Sequence, residues 1–331
     1  MERIIFSITD VCNLNCKHCY EKKRKDTEKV KVDILKIADW INHISPNKVG
    51  ISGGEPFVER DKLYKFINSL RDDFDINIAS NGTLLTNEDM LYLKSRNINL
   101  QLSIDGNQEI HDYIRGKGSY KKLLKSIVKL QKYGIAPKLI YTINNINYRV
   151  IESAFKLCKE FKMQCLYFER YIPSNHAEEL SLDKNIIKEI YNSILEFSKL
   201  YQIKVHVNDP LFLVHQIELI SNSSKYIVPL IEKMNLNVGC SMCKTSVYVD
   251  SYGDIYPCSF IDFSFGNIAN INIDDIENNF KKLILQNMSE KSNCVICKYN
   301  NICGGCKAVP YNMSGNWKGD NELCWISTEK D

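Results

Sequence analysis

Six short runs rich in β-branched residues, at 3–9, 49–52, 76–80, 100–104, 138–143 and 165–168, alternate with longer stretches whose apolar residues recur at helical spacing. Ile34, Ile37, Ala38 and Ile41 form one such stripe, and Leu63, Phe66, Ile67 and Leu70 a second. Leu123, Leu124, Ile127, Val128 and Leu130 form a third. Strands separated by helices pair in parallel, because the crossover helix carries the chain back to the end where the previous strand began. The first half of the chain therefore reads as α/β, built on a parallel sheet. Six βα units fit either a partial barrel or a doubly wound sheet, and periodicity alone does not choose.

The rhythm stops after Pro173. Helical spacing returns at 186–200 and 211–220 around a short strand at 204–207, and SNSS at 221–224 reads as loop. From Gly239 the composition turns to Cys, Gly, Asn and Asp with short strands such as 246–249, so a boundary falls near residue 235. A chain of 331 residues allows one large domain or two modest ones. Forty-three Lys and Arg against 40 Asp and Glu leave a net charge of +3, which asks for no nucleic-acid partner. No apolar run approaches the ~18 residues of a membrane span. The opening MERIIFSITD carries an acid and turns polar too early for a secretory signal. A soluble, cytoplasmic protein without a membrane partner is expected. GKG at 116–118 lacks the remaining spacing of a dinucleotide fingerprint, and KKRK at 22–25 reads as a solvated loop face.

Thirteen cysteines stand out against this average background. Clustered thiols in a long, unsecreted chain point to metal rather than to disulfides. Cys12, Cys16 and Cys19 follow the first strand in CNLNCKHC. Three thiolates this close can ligate three corners of a cubane and leave one iron without a protein ligand, an open and reactive position. The alternative is structural zinc with His18 or His111 as fourth ligand, although the spacing is unlike the paired C-x-x-C of zinc knuckles. Eight further cysteines, from Cys240 on, equal the complement of two 4Fe–4S clusters or of a double zinc site. The five residues between Cys297 and Cys303 fall well short of the ~15–20 of a zinc ribbon.

In this order the motifs resemble the radical S-adenosylmethionine (SAM) superfamily, whose signature is C-x-x-x-C-x-x-C in the loop after the first barrel strand. ISGGEP at 51–56 is similar to the glycine-rich turn after the second strand. The resemblance implies that Gly53, Gly54, Glu55 and Pro56 border the methionine end of SAM, glycine permitting close backbone approach. SNG at 80–82, with Asn81, follows the third strand, and LSIDG at 102–106 puts Ser103 and Asp105 at ribose-contacting positions. Arg115 resembles the arginine that pairs with the SAM carboxylate in one branch, a task suited to its planar fork. Glu169 and Arg170, by the sixth strand, are expected to face the same end, as SAM or substrate contacts or as a structural ion pair. The implied chemistry is a 4Fe–4S cluster on Cys12, Cys16 and Cys19 that binds SAM at its open iron. One electron then splits the sulfonium, and the 5′-deoxyadenosyl radical abstracts a hydrogen atom from an unactivated C–H bond.

The later cysteines resemble the SPASM extension of the same superfamily, which carries two auxiliary clusters. Nine residues separate Cys243 from Gly253 and four separate Gly253 from Cys258, as the pattern requires. Cys294, Cys297, Cys303 and Cys306 match its next part, except that Gly304 and Gly305 stand where three residues are usual. Carried over, Cys240, Cys243, Cys258 and Cys306 would hold the first auxiliary 4Fe–4S cluster, and Cys294, Cys297, Cys303 and Cys324 the second. The resemblance thus implies an α/β fold: a partial (β/α)6 TIM-type barrel over 1–205, a helical linker over 206–238, and a small Cys-rich SPASM domain with short strands over 239–331.

Cys158 lies on an apolar helical stripe with Ala154 and Phe155 and reads as buried, Cys165 is a candidate hydrogen-atom donor, and Trp317 and Trp325 read as packing. Members of the family act mostly on peptides or proteins. Sulfatase-maturing relatives carry Asp directly after the cysteine equivalent to Cys258, whereas this chain has Ser259, with Asp262 three positions on. With the opening strand beginning by residue 3, no leader-peptide-binding domain is expected ahead of the barrel. Oxidative modification of a ribosomal peptide, by thioether or carbon–carbon crosslinking, is the reading. A radical enzyme of a small molecule or cofactor precursor and a non-catalytic zinc module are the alternatives. Expected partners are the peptide, a one-electron donor such as flavodoxin or ferredoxin, and a separate leader-peptide-binding protein.

Overall fold

A computed structural model describes residues 1–21, 30–163, 165–173, 177–220, 239–242, 245–271, 275, 278, 293–317 and 319–326. Lys22–Lys25, the loop at 221–224 and Cys243 lie outside them.

The chain alternates β1 (Arg3–Ser7), α1 (Ile34–Ile44), β2 (Lys48–Ser52), α2 (Arg60–Ser69), β3 (Asp75–Ser80), α3 (Asn87–Ser95) and β4 (Asn99–Ser103). It continues through α4 (Gln108–Arg115), α5 (Ser119–Lys132), β5 (Lys138–Ile143), α6 (Glu152–Glu160), β6 (Cys165–Arg170), α7 (Lys184–Tyr201), β7 (Lys204–Val207) and α8 (Pro210–Leu219). The C-terminal part adds β8 (Ser246–Val249), β9 (Asp254–Tyr256), β10 (Gly266–Asn267), α9 (Asn293–Ile296), α10 (Asn300–Cys303) and α11 (Ala308–Ser314). Strands β1 to β7 are parallel neighbours in sequence order, the topology of an open, partial TIM-type barrel. That resolves the choice periodicity left open. β7 spans 204–207 and pairs with β6, so the sheet runs through the boundary read at residue 205.

Side-chain caps fix where several helices begin. Asp33, Asn107, Asp183 and Asp209 each accept a backbone N–H at an N-terminus, and Thr86 with Asp89 forms a reciprocal capping box on α3.

Alternation along the strands gives the sheet two unlike faces. Ile4, Phe6, Val49, Ile51, Ile76, Ile78, Leu100, Leu102, Leu139, Tyr141, Leu166 and Phe168 are buried with the apolar stripes of the helices. The opposite face carries Gly50, Asn77, Gln101, Lys138, Thr142 and Glu169, too polar and too small to close on itself. A cavity of ≈ 420 Å³ remains there, instead of the packed interior of a complete barrel.

The Cys-rich part is an extension of the same sheet. β8 pairs in parallel with β1, from Arg3↔Ser246 to Phe6↔Val249, and β9 and β10 follow antiparallel. The order is β10-β9-β8-β1-β2-β3-β4-β5-β6-β7.

Candidate active site

The loop after β1 is pinned to two neighbouring elements. Gly54 N donates to Thr9 O at 2.6 Å, Glu55 N to Val11 O at 2.9 Å, and Lys17 N to Ile114 O at 2.9 Å. This framework brings Cys12, Cys16 and Cys19 to one end of the cavity, whose wall they share. Burial pushes the Cys16 thiol up to about 11, with Arg115 pulling it back and Cys19, Asp105 and Cys12 adding to the rise. Burial also raises Cys12, and Glu55 and Cys19 reinforce that rise. A cation beside such thiols favours the thiolate, and an iron centre would supply one in addition to Arg115. The donor set, three mutually interacting thiols at a cavity wall, fits a cubane held at three corners.

The two glycines of ISGGEP are required by the polypeptide itself. Gly53 has φ +132°, and a Cβ there would lie 2.3 Å from Thr9 O; at Gly54 it would lie 2.1 Å from Val11 O. Both glycines line the cavity. Glu55 is 1% exposed and sits behind that wall. Its carboxylate accepts from Phe57 N at 3.2 Å, Ser80 Oγ at 2.8 Å and Asn81 N at 2.8 Å, tying this turn to the next. Pro56 is buried at the start of a 3-10 turn over Pro56–Glu59. Asn81 does face the cavity, and its Nδ2 donates to Asn13 Oδ1 at 2.9 Å.

Ser103 and Arg115 face the cavity, while Asp105 lies fully buried behind them. Asp105 accepts from Arg115 Nε and bonds His18 Nε2 at 2.8 Å, and its backbone N–H donates to His111 Nδ1 at 3.2 Å. Burial would raise the Asp105 carboxyl, but Arg115 and His18 hold it well below the ordinary carboxylate range. Burial and Arg115 push His111 down to about 4. Both histidines weighed as zinc ligands are thus engaged with Asp105, and Asp105 acts as the anchor that orients Arg115 and His18.

Glu169 and Arg170 part company. Glu169 lines the cavity, its Oε1 accepting from Asn208 Nδ2 at 3.1 Å, and burial raises its carboxyl. Arg170 sits at the expected end of β6 but does not face the cavity; of the two roles expected of it, it has that of a structural ion pair. One residue along a strand reverses the side chain, and Arg170 is buried on the helix side in an ion pair with Asp209.

In the C-terminal part the thiols form two neighbourhoods. Cys303, pushed up to about 12 by burial, interacts with Cys324 and Cys294, and Cys306 with Cys240. Gly304 and Gly305 both adopt positive φ, +67° and +68°. A Cβ on Gly305 would lie 2.9 Å from Cys294 Sγ, so the short Cys303–Cys306 link works through two left-handed glycines. Cys297 Sγ accepts from Tyr299 N and Cys258 Sγ from Phe260 N, at 3.4 and 3.5 Å. Ser259 and Phe260 join the cavity wall, and Tyr20 stacks edge-on against Phe260 at 5.3 Å. Cys158 is fully buried, and Cys165 starts β6, at the end of that strand opposite the three N-terminal thiols. Trp325 packs on Tyr191 and His215, and Trp317 on Phe263 and Tyr311. Tyr20, Glu21, Thr142, Tyr167 and Asn208 also line the cavity and escaped the sequence reading. The i, i+2 partners of Ile140 and Glu169 on their strands would have found Thr142 and Tyr167.

Among the described residues no helix is long and apolar enough to cross a membrane. Family models match in two places: "Radical SAM superfamily" at residues 6–158 and the SPASM "Iron-sulfur cluster-binding domain" at 240–307. An AdoMet-dependent heme synthase of Nitratidesulfovibrio vulgaris is 25% identical, covering 97% of this chain and 91% of its own. The antilisterial bacteriocin subtilosin biosynthesis protein AlbA of Bacillus subtilis is 25% identical, covering 98% of this chain and 71% of its own. Among solved structures, Streptococcus suis SuiB bound to precursor peptide SuiA superposes with a TM-score of 0.79 at 18% identity, covering 98% of this chain and 76% of that one.

Proposed function

The chain belongs to the radical SAM superfamily and carries a SPASM iron–sulfur cluster-binding domain, and from that premise we propose that it oxidises a peptide substrate by hydrogen-atom abstraction. The observation that carries this reading is the gathering of Cys12, Cys16 and Cys19 at one end of a cavity that Gly53 and Gly54 also line. When bound there, a 4Fe–4S cluster and SAM supply the 5′-deoxyadenosyl radical. The chain's own residues bind and orient. Gly53 and Gly54 offer unobstructed backbone, and Ser103 and Arg115 offer a hydroxyl and a cation fixed by Asp105. Glu169 places in the cavity wall a carboxylate whose raised proton affinity suits it to take up a proton.

The eight cysteines from Cys240 on are assigned to two auxiliary clusters, with Cys243 completing the first set. Cys240, Cys243, Cys258 and Cys306 form that set, and Cys294, Cys297, Cys303 and Cys324 the second. A peptide, with a thioether or carbon–carbon crosslink as product, is supported by the relative named for subtilosin biosynthesis. Ser259 in the cavity wall, where a maturing enzyme of sulfatases would need an acid, supports a product other than formylglycine. The heme synthase relative, matched over 97% of this chain, favours a second reading in which the substrate is a small cofactor precursor. Anaerobically reconstituted protein, with SAM and dithionite, is to be incubated with peptides encoded by short reading frames found next to its gene. Loss of two hydrogen atoms from the peptide, seen by mass spectrometry, is the expected result. An unchanged peptide beside turnover of a cofactor precursor would select the second reading.

A further inference from the structure

Arg170, the last residue of β6, is buried with its side chain 3% exposed. Its Nε donates to Asp209 Oδ2, which also accepts from the Tyr191 hydroxyl at 2.7 Å. Asp209 Oδ1 accepts from Leu211 N at 3.0 Å as the N-cap of α8. The carboxylate is thereby held from three sides, and it fixes the guanidinium in turn. Among the described residues, however, Arg170 Nη1 has no hydrogen-bond partner. A buried guanidinium N–H group without an acceptor costs a large part of its desolvation free energy. The polypeptide has oriented a donor toward an acceptor that the described residues do not provide.

The neighbourhood identifies the acceptor's chemistry. The Arg170 guanidinium lies near enough to the Cys306 thiol for the two to interact electrostatically. The charge of Arg170 is therefore felt at Cys306, which in turn interacts with Cys240. Helix α8, which Asp209 caps, packs against α10 and its Cys303. Arg170 and Asp209 thus sit where the two thiol neighbourhoods meet the barrel.

We propose that Arg170 Nη1 donates a hydrogen bond to a sulfur atom of the first auxiliary cluster, and that this fixed cation raises that cluster's reduction potential. The proposal rests on the thiol assignment made above for Cys240, Cys243, Cys258 and Cys306. Hydrogen bonds to sulfur and nearby positive charge both favour the reduced, more negative state of an iron–sulfur centre. Arg170 is accordingly a residue that tunes a cofactor, its side chain on the helix side of β6 and not in the cavity wall.

The test is an EPR-monitored redox titration of full-length reconstituted protein. The variants are Arg170→Lys and the paired change Arg170→Gln with Asp209→Asn, which removes both charges together and leaves none buried alone. The paired variant should hold full iron while the reduced fraction of one SAM-insensitive signal falls about tenfold at fixed potential, ~59 mV for a one-electron couple. Arg170→Lys, which keeps the charge, should shift it less, and the signal that responds to SAM should not move. Unchanged midpoints at full iron content would overturn the proposal. Should the paired variant lose iron, parent protein labelled with ¹⁵N-arginine decides by pulsed EPR: an arginine nitrogen coupling on a SAM-insensitive signal supports the bond, and its absence overturns it. A parent protein without any SAM-insensitive cluster signal would remove the thiol assignment itself, and the proposal with it.

Discussion

A methyl group at Gly54 would lie 2.1 Å from Val11 O and 2.4 Å from Val11 C, both backbone atoms that cannot rotate away. Gly54→Ala should therefore push apart the ISGGEP turn and the cysteine loop. A loss of stability of ~1–3 kcal/mol, the usual cost of forcing a group into packed structure, is expected by chemical denaturation. The variant should also lose about four of about twelve irons, those of the N-terminal cluster, on reconstitution. Asp105 makes a second test. Its pairing with Arg115 and His18 depresses its proton affinity in the folded state, so that contribution to stability is present above the ordinary 3.8 and is lost as pH falls below it. The stability advantage of the parent over Asp105→Asn should shrink on acidification through that value, and parallel pH curves would count against the pairing. At this scale the cysteines, glycines and Asp105 were all legible as motif letters. The reasons for them were not: no letter tells that Gly53 and Gly54 are pressed by Thr9 and Val11, or that Asp105 holds His18.

Between strands the decisive fact is a period of two. Glu169 and Arg170 were read together because they are adjacent in sequence, yet alternation sends one into the cavity and the other to Asp209. The βα repeat was legible because β-branched runs and helical stripes differ in period. The sheet's continuation was not, because the pairing of β1 with β8 joins residues some two hundred and forty positions apart and leaves no local signal. That pairing covers an edge of β1 along Arg3 to Phe6. A chain ending at residue 238 should expose this edge and self-associate, as unprotected edge strands do. Size-exclusion chromatography checks it, and a stable monomer would show that β8 is dispensable to the barrel.

Across the whole molecule, one sheet carries the thiol-lined cavity on one face and, at the end of β6, the arginine that interacts with Cys306. The radical reaction proposed for the cavity requires Cys12, Cys16 and Cys19 to act as a set, with the nearby Arg115 and glycine turn organising what they hold. The most direct measurement is dithionite-dependent release of 5′-deoxyadenosine from SAM, made anaerobically on reconstituted parent and on Cys16→Ala. The parent should release it and the variant should fall to the background without protein, while retaining the irons of the C-terminal thiols. Release by Cys16→Ala at the rate of the parent would contradict the account.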